Sequence, residues 1–287
     1  MILRGADRLV GIKTTPTHNG LRALLNPLLP LSKTIKALTF DVFGTTVSWL
    51  STITTALSTA AAAKLASPSH SHSHSLPAPL RTRLEALTPQ DWTLFAQQWR
   101  ASYNAFTHGF VPGTTPWKDV DAHHRDSLAA LLGEWGLEGV YTSDEVDQLS
   151  RAWHFLPPWP DAAAGLRRLG AGGYTTATLS NGNRDLLADL DAHGGLGFGV
   201  VISGEDFRAY KPAREVYLGA CRVLGREVGE VAMVAAHLGD LEAARGVGMR
   251  TVYVEREGEE EWGVEEERYQ RAREWGGFEE VARRLGV

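Results

Sequence analysis

Five short runs, each nearly continuous in apolar and β-branched residues, constrain this chain more than any other feature: "IKALTFDV" (35–42), "YTTATLSN" (174–181), "FGVVIS" (198–203), "VAMVAAH" (231–237) and "RTVYVER" (250–256). Strands apolar on both faces must be covered on both faces, which is the habit of a parallel sheet. Between the later runs lie helical patterns, "NRDLLADLDAHG", "REVYLGACRVLG" and "LEAARGVG", two of them running into glycine-rich ends. Repeated strand–helix units predict a doubly wound, Rossmann-like α/β sheet whose functional site lies at the carboxyl ends of the strands.

One interval breaks the alternation. From Val47 to about Pro157 only helical patterns occur. "WTLFAQQWRASYNAF" carries Phe95, Trp99, Tyr103 and Phe106 along one helical stripe, and "TSDEVDQLSRAWHFL" opens with Thr142 and Glu145 at capping-box spacing. A helical insertion directly after the first strand covers that strand's carboxyl end. The expected organisation is an N-terminal extension (1–35), an α/β core (36–47 and 158–287) and an inserted α-helical cap domain (48–157).

Two segments stand apart by composition. The extension is basic, with Asp7 as its only acid, and reads either as a mitochondrial transit peptide or as a poorly ordered leader. Residues 55–79, rich in alanine, serine and proline, are expected to be a solvated low-complexity loop, in which His70, His72 and His74 could hold a metal weakly. The net charge of −5 gives no reason to expect nucleic acid or an anionic membrane as partner. No apolar run reaches the roughly 18 residues of a spanning helix. The single cysteine, Cys221, cannot form an internal disulfide; a reducing, cytoplasmic compartment is the expectation. In its helical run Cys221 reads as a small buried apolar residue, with a catalytic thiol as the alternative.

The chemistry-bearing residues collect at strand ends. Asp41 and Thr45 follow the first run in "FDVFGTT", Ser180 and Asn181 close the second in "LSNGN", "YKP" brings Lys211 to the start of a helix, and "VAMVAAH" leads to His237 and Asp240. Each has an ordinary reading alone, as turn residue, solvated lysine or helix cap. In this order they form a carboxylate, a hydroxyl, an ammonium and a second carboxylate on one sheet edge.

The series D-x-x-G-T, S-N, K-P and a final acid resembles the haloacid dehalogenase superfamily, and over most of residues 36 to 257 the chain is similar to its L-2-haloacid dehalogenases (type II). Most superfamily members are Mg²⁺-dependent phosphatases with D-x-D in the first motif and G-D-x-x-x-D in the last. Here Phe43 replaces the second acid of the first motif and Ala236 falls where an earlier metal ligand stands, while Asp240 matches the later acid. Mg²⁺ is held by oxygen ligands, so these departures weaken the case for a metal, and no cofactor is expected.

The resemblance implies Asp41 as nucleophile, Lys211 as the cation that keeps it ionised, and Asp240 as the group that orients the hydrolytic water. It places the family's halide-binding arginine at Arg100 in "FAQQWRASY" and matches K-P-x-x-x-V-Y with Lys211 and Tyr217. Ser180, with backbone N–H groups after Asp41, is expected to hold the substrate carboxylate, and Asn181 to assist Arg100 at the halide. Phe43 and Tyr103 are expected as dry walls, with Trp49 as wall or plain core. Ala235 and His237 replace a serine and an asparagine common in bacterial members. The implied partner is a small 2-haloacid, with halide released, and the implied assembly is a homodimer. Another superfamily hydrolase, cleaving phosphate or phosphonate, and a non-catalytic binding relative are the alternatives.

Overall fold

The structure, a computed structural model, describes residues 34–66, 76–259 and 277–287. Its centre is a parallel sheet of four strands, β1 (Ala37–Phe40), β2 (Thr175–Thr178), β3 (Val231–Ala235) and β4 (Arg250–Tyr253), in the order β2-β1-β3-β4. β1 is buried along its whole length and pairs on both sides, Phe40 opposite Thr178 of β2 and Val234 of β3. All four strands point the same way, so their carboxyl ends share one edge, and Asp41, Ser180 and His237 leave the sheet there.

The expected strand at 198–203 is not part of the sheet. It meets β2 at an isolated bridge, Ala177 to Val200, and the turn beyond β2 at another, Ser180 to Ser203. The Thr178 hydroxyl accounts for this: it donates to Ile202 O (2.9 Å) and accepts from Ile202 N (2.9 Å), taking places a strand ladder would use. Gly197, at φ +71°, and Gly199 further weaken the extended run.

Among the described residues, α6 (Ala162–Ala171), α7 (Arg184–Gly194), α8 (Arg214–Leu224), α9 (Leu238–Gly246) and α10 (Phe278–Leu285) cover the sheet, while α1 (Leu50–Ala66) leads away from β1. α6 and α10 pack together beneath β1, where Phe278 meets Phe40 at 4.8 Å between ring centroids. Four further helices complete the block between β1 and α6: α2 (Ala78–Glu85), α3 (Pro89–His108), α4 (Val120–Glu134) and α5 (Ser143–Ser150), followed by a 3-10 turn at Arg151–Phe155.

The low-complexity expectation for 55–79 needs correction over its first half. Residues 55–66 lie within α1, where Ile53, Leu57 and Ala61 form a buried stripe packed towards α3. Alanine carries the best helix propensity, and a four-residue apolar spacing supplied the packing face that composition concealed. His70, His72 and His74 lie outside the described residues, as does the expectation for the N-terminal extension apart from its last two residues.

α3 begins with a Thr88–Asp91 capping box and Pro89 in the first turn, and α5 with the expected Thr142–Glu145 box. Trp92, Phe95, Trp99 and Tyr103 of α3 are buried, and Phe106 is partly covered, stacking on His123 at 4.2 Å. Trp99 Nε1 donates to His124 O (3.1 Å) and Ser127 Oγ (3.0 Å) of α4. Those bonds set the rotation of α3 and therefore the direction of its next residue, Arg100. The helical block is tied to the sheet by Trp159 Nε1 donating to Gly44 O (3.0 Å) and by His154, held between Asp121 (3.0 Å) and Asp189 (2.7 Å).

Candidate active site

Asp41 is the first residue after β1, its N–H still donating to Val234 O (3.0 Å). The chain then turns sharply through Gly44, whose φ of +81° suits glycine, and the Thr46 hydroxyl donates back to Asp41 O (2.7 Å). The carboxylate is thereby presented at the sheet edge while its backbone is locked. Thr45 Oγ1 accepts from Ala236 N (2.9 Å) and donates to Asp41 Oδ2 (2.8 Å), joining the ends of β1 and β3 through one hydroxyl.

Lys211 is brought in by Asn181. The Asn181 amide accepts from Lys211 N (2.7 Å) and donates to Lys211 O (3.3 Å), a reciprocal pair that holds the lysine backbone against the loop after β2. Lys211 Nζ then lies 2.9 Å from Asp41 Oδ1 and 2.5 Å from Asp240 Oδ2, and Tyr217 Oη donates to Asp240 Oδ1 (2.6 Å). All three charged side chains are buried. His237 Nδ1 stands 3.1 Å from Asp41 Oδ2.

Burial alone would raise the Asp41 carboxyl, but the Lys211 ammonium and the hydrogen bond and charge of His237 outweigh it and hold Asp41 well below the usual carboxylate range. Burial likewise pulls Lys211 down, and the Asp240 and Asp41 carboxylates more than offset this, leaving the ammonium above its ordinary value. Asp240 is raised, first by burial and then by the charge of Asp41. For His237, burial lowers the imidazole while the hydrogen bond to Asp41 and the Glu259 carboxylate 3.6 Å from Nε2 raise it, with a net rise to about 9. At neutral pH the cluster therefore holds an ionised Asp41 between two cations.

These groups open onto a cavity of about 230 Å³, lined by Asp41, Phe43, Arg100, Tyr103, Asn181, Lys211, Tyr217, His237 and Asp240, with Asn104, Thr107 and His108 among the α3 residues beside them. The Arg100 guanidinium carbon lies 4.7 Å from the Tyr103 ring centroid, 5.7 Å from Phe43 and 5.9 Å from Trp49. Among the described residues no carboxylate lies within ion-pair distance of it. The cavity thus combines an ionised carboxylate with a cation surrounded by aromatic faces.

Of the residues singled out in the sequence, Asp41, Phe43, Arg100, Asn181, Lys211, Tyr217, His237 and Asp240 meet at this cavity. Thr45 and Ser180 stand behind its wall. Ser180 is fully buried, and its Oγ accepts from Gly182 N (3.2 Å) to shape the turn, which leaves it off the lining. Glu259 was not foreseen: its Oε2 lies 3.6 Å from His237 Nε2. It sits in the acid-rich stretch "EREGEEEWGVEEE", where nothing in the spacing marks one glutamate above its neighbours.

The donor set does not fit a hard divalent cation. Such an ion needs several oxygen ligands, whereas Phe43 offers a ring, Ala236 a methyl, and the two carboxylates are bridged by the Lys211 ammonium. Among the described residues no cluster of three or more His, Cys, Asp or Glu is arranged to hold a metal.

The family model for haloacid dehalogenase-like hydrolases matches residues 35–248. (S)-2-haloacid dehalogenase 1 of Pseudomonas sp. (strain CBS-3) is 35% identical over 133 residues, a stretch covering 46% of this chain and 58% of that protein. The chain thus spans only a little over half the length of that curated relative. The crystal structure of a defluorinating L-2-haloacid dehalogenase shares 33% identity at a TM-score of 0.72, covering 88% of this chain and 96% of its own. That of the L-2-haloacid dehalogenase of Xanthobacter autotrophicus with chloropropionic acid covalently bound shares 27% identity at a TM-score of 0.57, covering 77% of each chain.

Proposed function

The chain belongs to the haloacid dehalogenase-like hydrolases, and from that premise we propose that it hydrolyses short 2-haloalkanoic acids to 2-hydroxy acids through an ester on Asp41, with inversion at C2. The observation that carries this reading is the pairing, in one small cavity, of an ionised buried carboxylate with a cation that has no carboxylate partner among the described residues. A phosphate ester leaves as an alkoxide and calls for a proton donor; halide leaves as a stable anion and needs none. Phe43 can donate nothing, so the first-motif position lacks the proton donor that the first kind of leaving group calls for, which favours the second.

Asp41 attacks C2 from the side opposite the halogen, forming the carboxylate–C2 bond as the carbon–halogen bond breaks. Lys211 and Thr45 hold the attacking carboxylate ionised and aimed. Arg100, with no carboxylate partner among the described residues, stabilises the halide as charge develops on it, and the rings of Phe43, Trp49 and Tyr103 keep water from that end. The backbone N–H groups of the turn after Asp41 are assigned to the substrate carboxylate and Asn181 to the halide beside Arg100, with Ser180 preserving the turn. Water at the Asp41 carbonyl carbon then releases the hydroxy acid. The relative of Xanthobacter autotrophicus, holding chloropropionic acid covalently, supports the ester route.

The same proposal takes residues 48–157 as the cap domain over a core of 36–47 and 158–287. It also includes a homodimer, on the family resemblance, and a cytoplasmic setting, on the lone buried thiol of Cys221. Among the described residues no helix is long and apolar enough to cross a membrane.

Halide release from (S)-2-chloropropionate tests the reading, with and without EDTA and beside p-nitrophenyl phosphate. Release should be unaffected by chelator, absent in Asp41→Asn, and accompanied by no phosphate release. Mg²⁺-dependent phosphate release instead would favour the phosphatase alternative, and inactivity on both substrates the non-catalytic one.

A further inference from the structure

Hydrolysis of the Asp41 ester requires a base, and two groups beside Asp41 compete for the part. Asp240 is engaged on both oxygens, by Lys211 Nζ at 2.5 Å and Tyr217 Oη at 2.6 Å, and its side chain is only 8% exposed. His237 is placed differently. Its Nδ1 faces Asp41 Oδ2 at 3.1 Å, its Nε2 faces Glu259 Oε2 at 3.6 Å, and 23% of its side chain remains open at the cavity wall. Glu259 reaches this position from the turn after β4 across Gly44. A Cβ at Gly44 would lie 2.1 Å from Glu259 Oε2 and 3.1 Å from His237 Cε1, so the dyad occupies space that only glycine leaves.

Resting on the dehalogenase reading, we propose that His237, oriented by Glu259, is the base that deprotonates the hydrolytic water, and that alkylation of Asp41 brings it into use. Before the first step the ring is an imidazolium paired with the Asp41 carboxylate. Ester formation removes that negative charge, while Glu259 remains at Nε2 and Arg100 is the cation facing the ring, with Lys211 on the far side of Asp41. Without its carboxylate partner the ring releases the Nδ1 proton to solvent, which is the one proton the overall reaction yields with the halide. Glu259 retains the proton on Nε2, so the neutral tautomer presents its lone pair at Nδ1, beside the ester.

Water then adds to the Asp41 carbonyl carbon, one of its protons passing to Nδ1. As the bond from that carbon to the alkoxide oxygen breaks, the second proton goes to the departing oxygen. The carboxylate and the imidazolium are both restored. Haloacid and water have become hydroxy acid, halide and one proton. His237 is a catalytic residue in this scheme and Glu259 a positioning residue.

Rapid-quench halide release from (S)-2-chloropropionate, followed together with intact-protein mass, tests the assignment in the full chain. His237→Ala should release about one halide per chain in a burst, showing a folded, alkylating enzyme, then turn over about 10²–10⁴ times more slowly while alkylated Asp41 accumulates. Added imidazole should restore part of the slow step. Glu259→Gln should slow only the hydrolytic step, by a smaller factor, and move the acidic limb of its pH profile to lower pH, because the imidazolium loses an anion. Ester hydrolysis at the wild-type rate in His237→Ala would overturn the proposal, and so would loss of the burst itself. A wild type that releases no halide and forms no ester would instead overturn the dehalogenase reading beneath it.

Discussion

The two walls of the cavity are built on opposite principles. On the sheet side every charge is answered: Lys211 lies between Asp41 and Asp240, Tyr217 donates to Asp240, and Thr45 and His237 complete Asp41. On the helical side Arg100 meets aromatic rings and, among the described residues, no carboxylate. The first wall is a closed network that keeps the Asp41 carboxylate, the nucleophile of the proposed reaction, ionised in a buried place. The second offers, among the described residues, no counter-charge, and on the proposed reading keeps a cation available for an anion that arrives only during the reaction. Buried networks are costly when one member is lost, whereas a cation kept open costs little when removed and matters mainly in the transition state.

The largest effect should come from breaking the closed wall. Lys211→Met leaves two buried carboxylates facing each other and should reduce stability by about 3–5 kcal/mol, read as a fall in urea midpoint, along with turnover. A midpoint close to wild type would mean that the network is not closed through Lys211. On the open wall the balance should reverse. Arg100→Ala should lower turnover by about 10²–10³ with little change in thermal midpoint, and Arg100→Lys should recover only part of it, since an ammonium lacks the planar fork of donors. A midpoint that falls in step with activity would make Arg100 a packing residue and dissolve the contrast.

The third effect is read against pH. His237 is raised to about 9 from an ordinary value of about 6.5. A group raised on folding contributes stability that is complete below its unfolded value and lost as pH rises through the folded one. The urea midpoint should therefore decline between about pH 6.5 and 9 in the wild type, and this decline should flatten in His237→Ala. Asp41, held low, contributes stability that is lost only as pH falls through its depressed folded value, so it does not interfere in that window.

The sheet wall was the more legible of the two because strands report their own ends. An apolar run that stops at Asp41, another at Ser180 and Asn181, and a third at His237 must release these residues at one edge once the strands are parallel, whatever the rest of the chain does. Arg100 could be placed only through resemblance, because a helix stripe tells which residues are buried and not what they are buried against. Its position depends on Trp99 being pinned to α4 and on α3 lying over β1, contacts between residues about 25 to 60 positions apart. The alanine-rich stretch departs from its composition for a related reason. Composition described α1 as unable to pack, while three residues at four-residue spacing were enough once a neighbouring helix supplied the other face.

By itself the sequence determined the parallel α/β class, the helical interval, the capping boxes and the identity of the charged residues at the strand ends, since each follows from local periodicity, turn chemistry or chain direction. Tertiary structure alone decided that Ser180 and Thr45 support the cavity from behind, that residues 198–203 stay off the sheet, and that Glu259 reaches His237 over Gly44. Those outcomes turn on distances of a few ångströms between segments far apart in the chain, here residues 44, 237 and 259, and no local pattern carries that information.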